Sequence, residues 1–213
     1  MTVTEAGVLA NIGVNNKGVS VFLNYISVME TTYSGAVYHI LLRRALESDN
    51  AFDLQNAIIR SPIAFSIHIM CCDKEHQPAS YELTSTWIFI RRSESNSILH
   101  TNHILSDWLK CRKLRDKQYI EFTGRYNALK SKVSELVRRD RVSVDDVYDV
   151  LRSHDGDAPI CRHFSNEEPY EMGTVFSMIV EYEDEADPKV YLSFGEPCSS
   201  EIQKNDMTEL FDF

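Results

Sequence analysis

The chain is 213 residues long, with 22 Lys and Arg against 32 Asp and Glu for a net charge of −10, and 43% of its residues are hydrophobic, enough to bury a core. These figures argue against wholesale disorder and against collagen-like or mucin-like repeats, and the acidic balance argues against general affinity for nucleic acid. The longest apolar-leaning run, Ile63 to Cys72, is interrupted by Ser66 and His68 and falls short of the ~18 residues that a membrane span needs.

In chain order, Ile12 to Leu23 reads as two strands joined by Asn15-Asn16-Lys17-Gly18, with Val19, Val21 and Leu23 on one face. Gly35 opens a helix of about three turns with Val37, Ile40, Leu41, Ala45 and Leu46 as its apolar side, and a second helix follows from Phe52 to Ile59, stopped by Ser61-Pro62. From Ala64 to Thr101 the text becomes an antiparallel meander of short runs: 66–70, 80–83, 87–91 and 98–101. Tyr119, Phe122, Tyr126, Leu129, Val133 and Leu136 return at helical spacing, giving a long amphipathic helix to about Arg139. Ser143 to Asp146 resembles a capping box for a helix ending near Arg152, with Gly156 available for the reversal. Two strands, 173–182 and 189–194, close the pattern through Asp187-Pro188. Strands, helices, strands, helices, strands predict an α+β layered sandwich.

The opening Met1 to Glu5 has neither a basic start nor an apolar core, so no secretory signal is read there. The cysteines, Cys71, Cys72, Cys111, Cys161 and Cys198, are odd in number and form no C-x-x-C, which predicts free thiols in a reduced, cytoplasmic compartment.

Several residues offer chemistry. His100-Thr101-Asn102-His103 ends the meander; an extended chain would put its two histidines on opposite faces, so no metal site is expected there. Asn102 carries an amide NH2 of the kind that stabilises oxyanions, its bland alternative being a turn-forming Asn. His154-Asp155-Gly156 and Cys161-Arg162-His163 bring Cys, His and Asp within ten residues, and the favoured reading is a helix end with a structured connector in which Arg162 pairs a carboxylate. Lys110, Arg112, Lys113, Arg115 and Lys117 form a basic run suited to a coenzyme A phosphate or, more commonly, to a solvated helix entrance. Gly7, Gly13 and Gly18 do not match a dinucleotide or phosphate loop, and Cys71-Cys72 reads as core.

The motifs nevertheless run in a recognisable order. Thr4-Glu5-Ala6-Gly7, Ile12-Gly13-x-Asn15-x-x-Gly18-Val19, Asn24, His39 to Glu47, His100 to His103, Leu151 to Gly156 with Ile160 to His163, and Gly173 to Phe176 leading to Gly195-Glu196-Pro197 resemble the acyl-coenzyme A:6-aminopenicillanic-acid acyltransferase (peptidase C45-like) family. The resemblance implies an N-terminal-nucleophile hydrolase fold, an αββα sandwich of two stacked antiparallel sheets over residues 1–197 with its opening strands missing, followed by an acidic tail at 198–213. It implies acyl transfer from an amide or acyl-CoA thioester to an amine or water, with a self-released N-terminal cysteine as nucleophile, Asn102 as oxyanion donor, and no cofactor or metal. In the family that cysteine lies upstream of the T-E-A-G stretch, and none of the later cysteines replaces it. Thr2, which would lead the chain on loss of Met1, aligns to an interior strand, and Met172 stands where an arginine is expected. The chain as written is therefore expected to be inactive, or else a non-catalytic module whose sheet is completed by a partner chain. Some relatives are peroxisomal, but Leu210-Phe211-Asp212-Phe213 is not an S-K-L-type address.

Overall fold

The structure, a computed structural model, describes residues 1–26, 28, 32, 34–75, 78–93, 97–110, 117–155, 158–164, 173–183 and 187–205, and these fall into two compact units. The first, Met1–Tyr119 with Glu183–Asp187, holds a six-stranded antiparallel sheet in sequential order β1 (Thr2–Val3), β2 (Ile12–Val14), β3 (Ser20–Asn24), β4 (Ile67–Cys72), β5 (Ala79–Leu83) and β6 (Ile88–Arg92). Helices α1 (Tyr38–Ala45) and α2 (Ala51–Ile59) lie between β3 and β4 in sequence, and α3 (Asp107–Lys110) follows β6.

Strand alternation divides this sheet into two faces of different chemistry. Val19, Val21, Ile67, Ile69, Cys71, Ala79, Tyr81 and Leu83 form one buried cluster with Leu41, Leu42, Ala45, Leu54, Ile58 and Ile63 of the helical segment. The residues between them, Ser20, His68, Ser80 and Glu82, belong to the other face and are polar, yet they too are buried. An antiparallel sheet packed on one side ordinarily shows its polar side to water. Here the segment after β6 comes back to meet it, as the bonds to Glu82 described below show.

The first turn explains three residues of the motif that runs from Ile12 to Val19. A Cβ at Gly13 would run into the Met1 carbonyl oxygen, which accepts the Val14 N–H, and Gly18 takes the left-handed conformation (φ 81°) that closes the hairpin. Asn15 binds in two directions. Its Oδ1 accepts the backbone N–H groups of Lys17 and Val19, while its Nδ2 donates to the carbonyls of Leu46 and Ser48 just beyond α1. It thus fixes the turn and supplies donors to carbonyls that the helix end leaves without intrahelical partners. At the start of α2, Asn50 accepts from the Asp53 N–H and Asp73, at the end of β4, accepts from the Ala51 N–H, which ties the helix to the sheet.

The second unit, Ile120–Tyr182 with Pro188–Phe213, contains most of α4 (Lys117–Leu136), then α5 (Val144–Leu151) and an antiparallel sheet β7 (Phe176–Glu181), β8 (Lys189–Phe194) and β9 (Gln203–Asn205). The capping box at α5 is complete: the Ser143 hydroxyl accepts the Asp146 N–H, and the Asp146 carboxylate accepts the Ser143 N–H. Leu136, Val150 and Ile160 form a cluster with Ala128, Leu129 and Val133 of α4.

The predicted element order holds, with four corrections. No strand forms at 98–101, because His100 leaves the sheet plane to bond Glu82. The first helix has eight residues and buries Leu41, Leu42 and Ala45, leaving Val37 and Ile40 about half exposed. Thr2 lies in β1 at the end of the strand order rather than in an interior strand. Residues 203–205 pair with β8 as β9, a three-residue polar strand without an alternation signal.

Asn15→Ala removes four hydrogen bonds at about 0.5–1.5 kcal/mol net each, and partial exposure brings the expected loss to about 2–3 kcal/mol of unfolding free energy. Asn15→Asp keeps the acceptor oxygen but sets the other against two carbonyls, so it should lose a similar amount. Urea unfolding of both variants checks this.

Candidate functional site

The buried polar face of the first sheet is built by register. His68 pairs directly across from Glu82 on β5 and from Asn24 on β3, and Ser80 is diagonal to it. His68 Nδ1 lies 3.2 Å from Asn24 Oδ1 and Nε2 lies 2.8 Å from Ser80 Oγ. An amide oxygen only accepts, so Nδ1 carries the hydrogen and Ser80 donates to Nε2, a neutral tautomer with both nitrogens satisfied. Burial holds the His68 pKa well below the usual histidine value, and the neighbouring His100 and Arg91 push the same way. The His100 ring stacks on it, with centroids 3.4 Å apart and planes 3° from parallel.

Glu82 is the hub. Its Oε1 accepts from His100 Nε2 at 3.0 Å and from the Leu105 N–H at 2.6 Å, and its Oε2 accepts from the Ser106 N–H at 2.9 Å. Burial works to raise the carboxyl pKa, but these donors together outweigh it and the net shift is downward. A single ionised carboxylate therefore grips residues 100–106 at both ends. Between those grips stand Thr101, Asn102 and His103. Thr101 Oγ1 and His103 Nδ1 are 3.0 Å apart, and Asn102 Nδ2 donates to the Tyr25 carbonyl at 3.2 Å. Asn102 is half-buried, whereas His100, Thr101 and His103 are buried. The two histidines do not point to opposite faces: residues 102–103 bend, and the rings lie 6.5 Å apart at 23°. His100 Nδ1 finds no hydrogen-bond partner among the described residues.

The other candidates divide. Burial pushes the Cys71 thiol up to about 12 and the Cys72 thiol up to about 11, which suits core residues and not nucleophiles. His154, Cys161 and His163 do come together, joined by Cys198 from beyond β8, whereas Asp155 turns away to pair with Lys132 of α4. Arg112, Lys113, Arg115, Gly156 and Met172 lie outside the described residues, as do the side chains of Lys110 and Lys117.

Comparison with known proteins gives the family. A family model described as acyl-coenzyme A:6-aminopenicillanic acid acyl-transferase matches residues 3–198. The chain belongs to this acyltransferase family. One curated member, the 40 kDa form of acyl-coenzyme A:6-aminopenicillanic-acid-acyltransferase from Emericella nidulans, is 30% identical over 105 residues, which is 48% of this chain and 29% of that protein. The match thus spans under a third of that acyltransferase's length. Penicillin V acylase from Agrobacterium tumefaciens superposes with a TM-score of 0.59 at 12% identity, over 95% of this chain and 67% of that one. The shared fold is that of the N-terminal-nucleophile hydrolases, an α+β architecture with two antiparallel sheets. Among the described residues no helix is long and apolar enough to cross a membrane.

Asn102 was a candidate on sequence grounds, whereas Glu82 and His68, which build the buried polar face, were not. Both sit at alternating positions of strands whose neighbours are apolar, the pattern of a solvated face, and only the return of residues 100–106 buries them.

The buried pair sets an acid limit on stability. His68 has a lowered folded pKa, so its contribution is complete above the unfolded histidine value of ~6.5 and is lost as pH falls toward the folded pKa. Glu82, also lowered, adds a second loss that starts below the unfolded carboxyl value of ~4.3. Urea unfolding from pH 7.5 to 5 should show declining stability, and His68→Gln should flatten that decline; an unchanged slope in the variant would assign it elsewhere.

Proposed function

We propose that this chain carries the fold and the oxyanion-binding part of an acyltransferase or amidohydrolase domain acting on an acyl-CoA thioester or an amide. The observation that supports it most is the coincidence of two facts: family membership runs through the His100 to His103 stretch, and Asn102 stands in a loop whose two ends are held by one buried carboxylate. In this reading a cysteine thiolate attacks the acyl carbonyl, a C–S bond forms, and the Asn102 amide donates to the oxyanion. Collapse expels the coenzyme A thiol or the amine, which takes the proton that the cysteine's own α-amino group accepted from the thiol, and a second amine or water then attacks the acyl carbonyl, giving its proton to that amino group as the C–S bond breaks. Glu82 is a positioning residue: it never meets substrate, but it sets where the Asn102 backbone lies.

In this reading the nucleophile is none of Cys71, Cys72 and Cys161, and Cys198 serves the histidine cluster of the second unit. Burial raises the thiol pKa values of Cys71, which is fully buried, of the half-buried Cys72, and of Cys161. The 213 residues by themselves are therefore expected to show no acyl transfer from an acyl-CoA to an amine, and a form carrying an upstream segment that opens with Cys is expected to process itself and turn over. Turnover by the 213 residues alone would overturn the proposal.

In the active form, Asn102→Ala should lower kcat by about 10²–10³, the cost of one lost oxyanion donor. Glu82→Gln should lower kcat with a smaller change in KM, and its loss should track a shifted pH profile, which a purely structural defect would not produce. Steady-state kinetics on both variants reads this.

A second reading is a non-catalytic module completed by a partner strand. It is favoured by β1, which ends the sheet order and so presents a backbone edge where a strand could pair. Size-exclusion chromatography decides: a stable, folded monomer removes it.

A further inference from the structure

The second unit brings together two cysteines and two histidines that the acyl-transfer reading does not use. His154 and His163 meet through their Nε2 atoms at 2.8 Å, Cys198 Sγ lies 3.1 Å from His163 Nε2, and Cys161 Sγ lies 3.8 Å from the same nitrogen. One ligand atom from each of the four residues falls within 4.8 Å of the other three. A neutral imidazole nitrogen has either one hydrogen or one lone pair, so it can satisfy one neighbour and not three. Four soft or borderline donors with so few protons between them form an arrangement that a central cation resolves.

The surrounding backbone builds this cluster from three separate pieces of chain. The Ser153 carbonyl, just past α5, accepts the N–H groups of both Ile160 and Cys161, which sets Cys161 beside His154. Arg162 and Thr174 exchange two bonds, and the Gly195 N–H reaches the Val175 carbonyl, which brings the turn carrying Cys198 to the same place. Tyr148 of α5 holds that turn: its hydroxyl lies 2.9 Å from the Ser200 carbonyl, to which it donates, and 2.7 Å from Ser193 Oγ, from which it then accepts. On the far side of His163, Nδ1 faces Glu196 Oε1 at 3.6 Å, too long for a hydrogen bond but placed where a carboxylate orients a ligating imidazole.

We propose that His154, Cys161, His163 and Cys198 form a four-ligand site for a zinc-class divalent cation. Tetrahedral coordination with Zn–N of ~2.0–2.1 Å and Zn–S of ~2.3 Å requires donor atoms about 3.3–3.8 Å apart; the observed 3.8 Å lies at the top of that range, 2.8 and 3.1 Å fall below it, and all four atoms lie within 4.8 Å of one another, so small side-chain rotations bring them onto a tetrahedron. Two sulfurs with two imidazoles select zinc over magnesium or calcium, which take oxygen. Binding exchanges the two thiol protons for one divalent ion: two Zn–S and two Zn–N bonds form, two S–H bonds break, the protons go to solvent, and the site ends neutral. Four protein ligands leave no open position, so the ion ties three chain segments together and takes no part in acyl transfer. An alternative arrangement of the same atoms is Cys198–His163–Glu196 as a thiol nucleophile with its base. The metal is favoured because His154 and Cys161 converge on the same nitrogen, which a nucleophile and base would not require.

The test uses the reduced 213-residue chain and zinc itself, and is independent of turnover. After equilibration with zinc against a chromophoric chelator, the chain should retain one equivalent. Cobalt substitution should give thiolate charge-transfer absorption and tetrahedral d–d bands, and zinc should protect the exposed Cys198 from iodoacetamide. Cys198→Ser and His163→Gln alter exposed residues. Each should weaken zinc affinity at least ~10²-fold, the scale on which metal-site substitutions act, while circular dichroism shows the fold retained. Cys72→Ser should keep the full equivalent. The site is overturned if the wild-type chain keeps no zinc, if both variants keep it stoichiometrically, or if Cys198 alkylates equally fast with and without zinc, the last marking the nucleophile instead.

Discussion

The Glu82 carboxylate is the interaction on which the first unit depends. Ser20, His68, Ser80 and Glu82 on the second face of the six-stranded sheet are buried, so their polar groups have to be satisfied internally. An ionised carboxylate costs several kcal/mol to bury unless its lone pairs are filled, and here an imidazole and two backbone N–H groups fill them. The donors come from one stretch, residues 100–106, so the charge both stabilises the sheet face and determines the path of the chain that covers it. His68 and Ser80 extend the same solution along the sheet, each hydrogen-bonded to its neighbour in the register.

Much of the fold was legible in the sequence where one periodicity acted alone. Val19-Val21-Leu23 and Ile67-Ile69-Cys71 alternate as a one-sided strand should, and Ser143 with Asp146 announces a helix start by a local bond that needs nothing distant. Reading failed where a tertiary partner changed the meaning of a local pattern. Ile98 to Thr101 has strand composition, but the attraction of His100 to Glu82 takes it out of the sheet. Val37 and Ile40 have helical spacing with Leu41, yet the helix is rotated so that Leu41, Leu42 and Ala45 face the strands.

The candidate sites show the same division. Asn102 stands out in the sequence because its amide NH2 can donate to a developing oxyanion. Glu82 was not, because a Glu between Tyr81 and Leu83 is what an ordinary half-solvated strand contains. The cluster in the second unit was visible by halves: His154, Cys161 and His163 lie within ten residues, but Cys198 stands 35 residues beyond His163 and arrives only because Val175 and Gly195 are bonded. Linear spacing cannot register a fourth group delivered by a sheet connection.

The Asn15 side chain bears on where this chain tolerates insertion. A four-residue hairpin turn on a surface is ordinarily the place where chains accept insertions, since nothing else relies on it. This turn is not autonomous. The same amide that shapes it also supplies donors to carbonyls past the end of α1, more than thirty residues away, so a lengthened loop would leave those carbonyls without them. An insertion here would break bonds on both sides of the turn, so a segment that looks dispensable by position is tied to the core behind it.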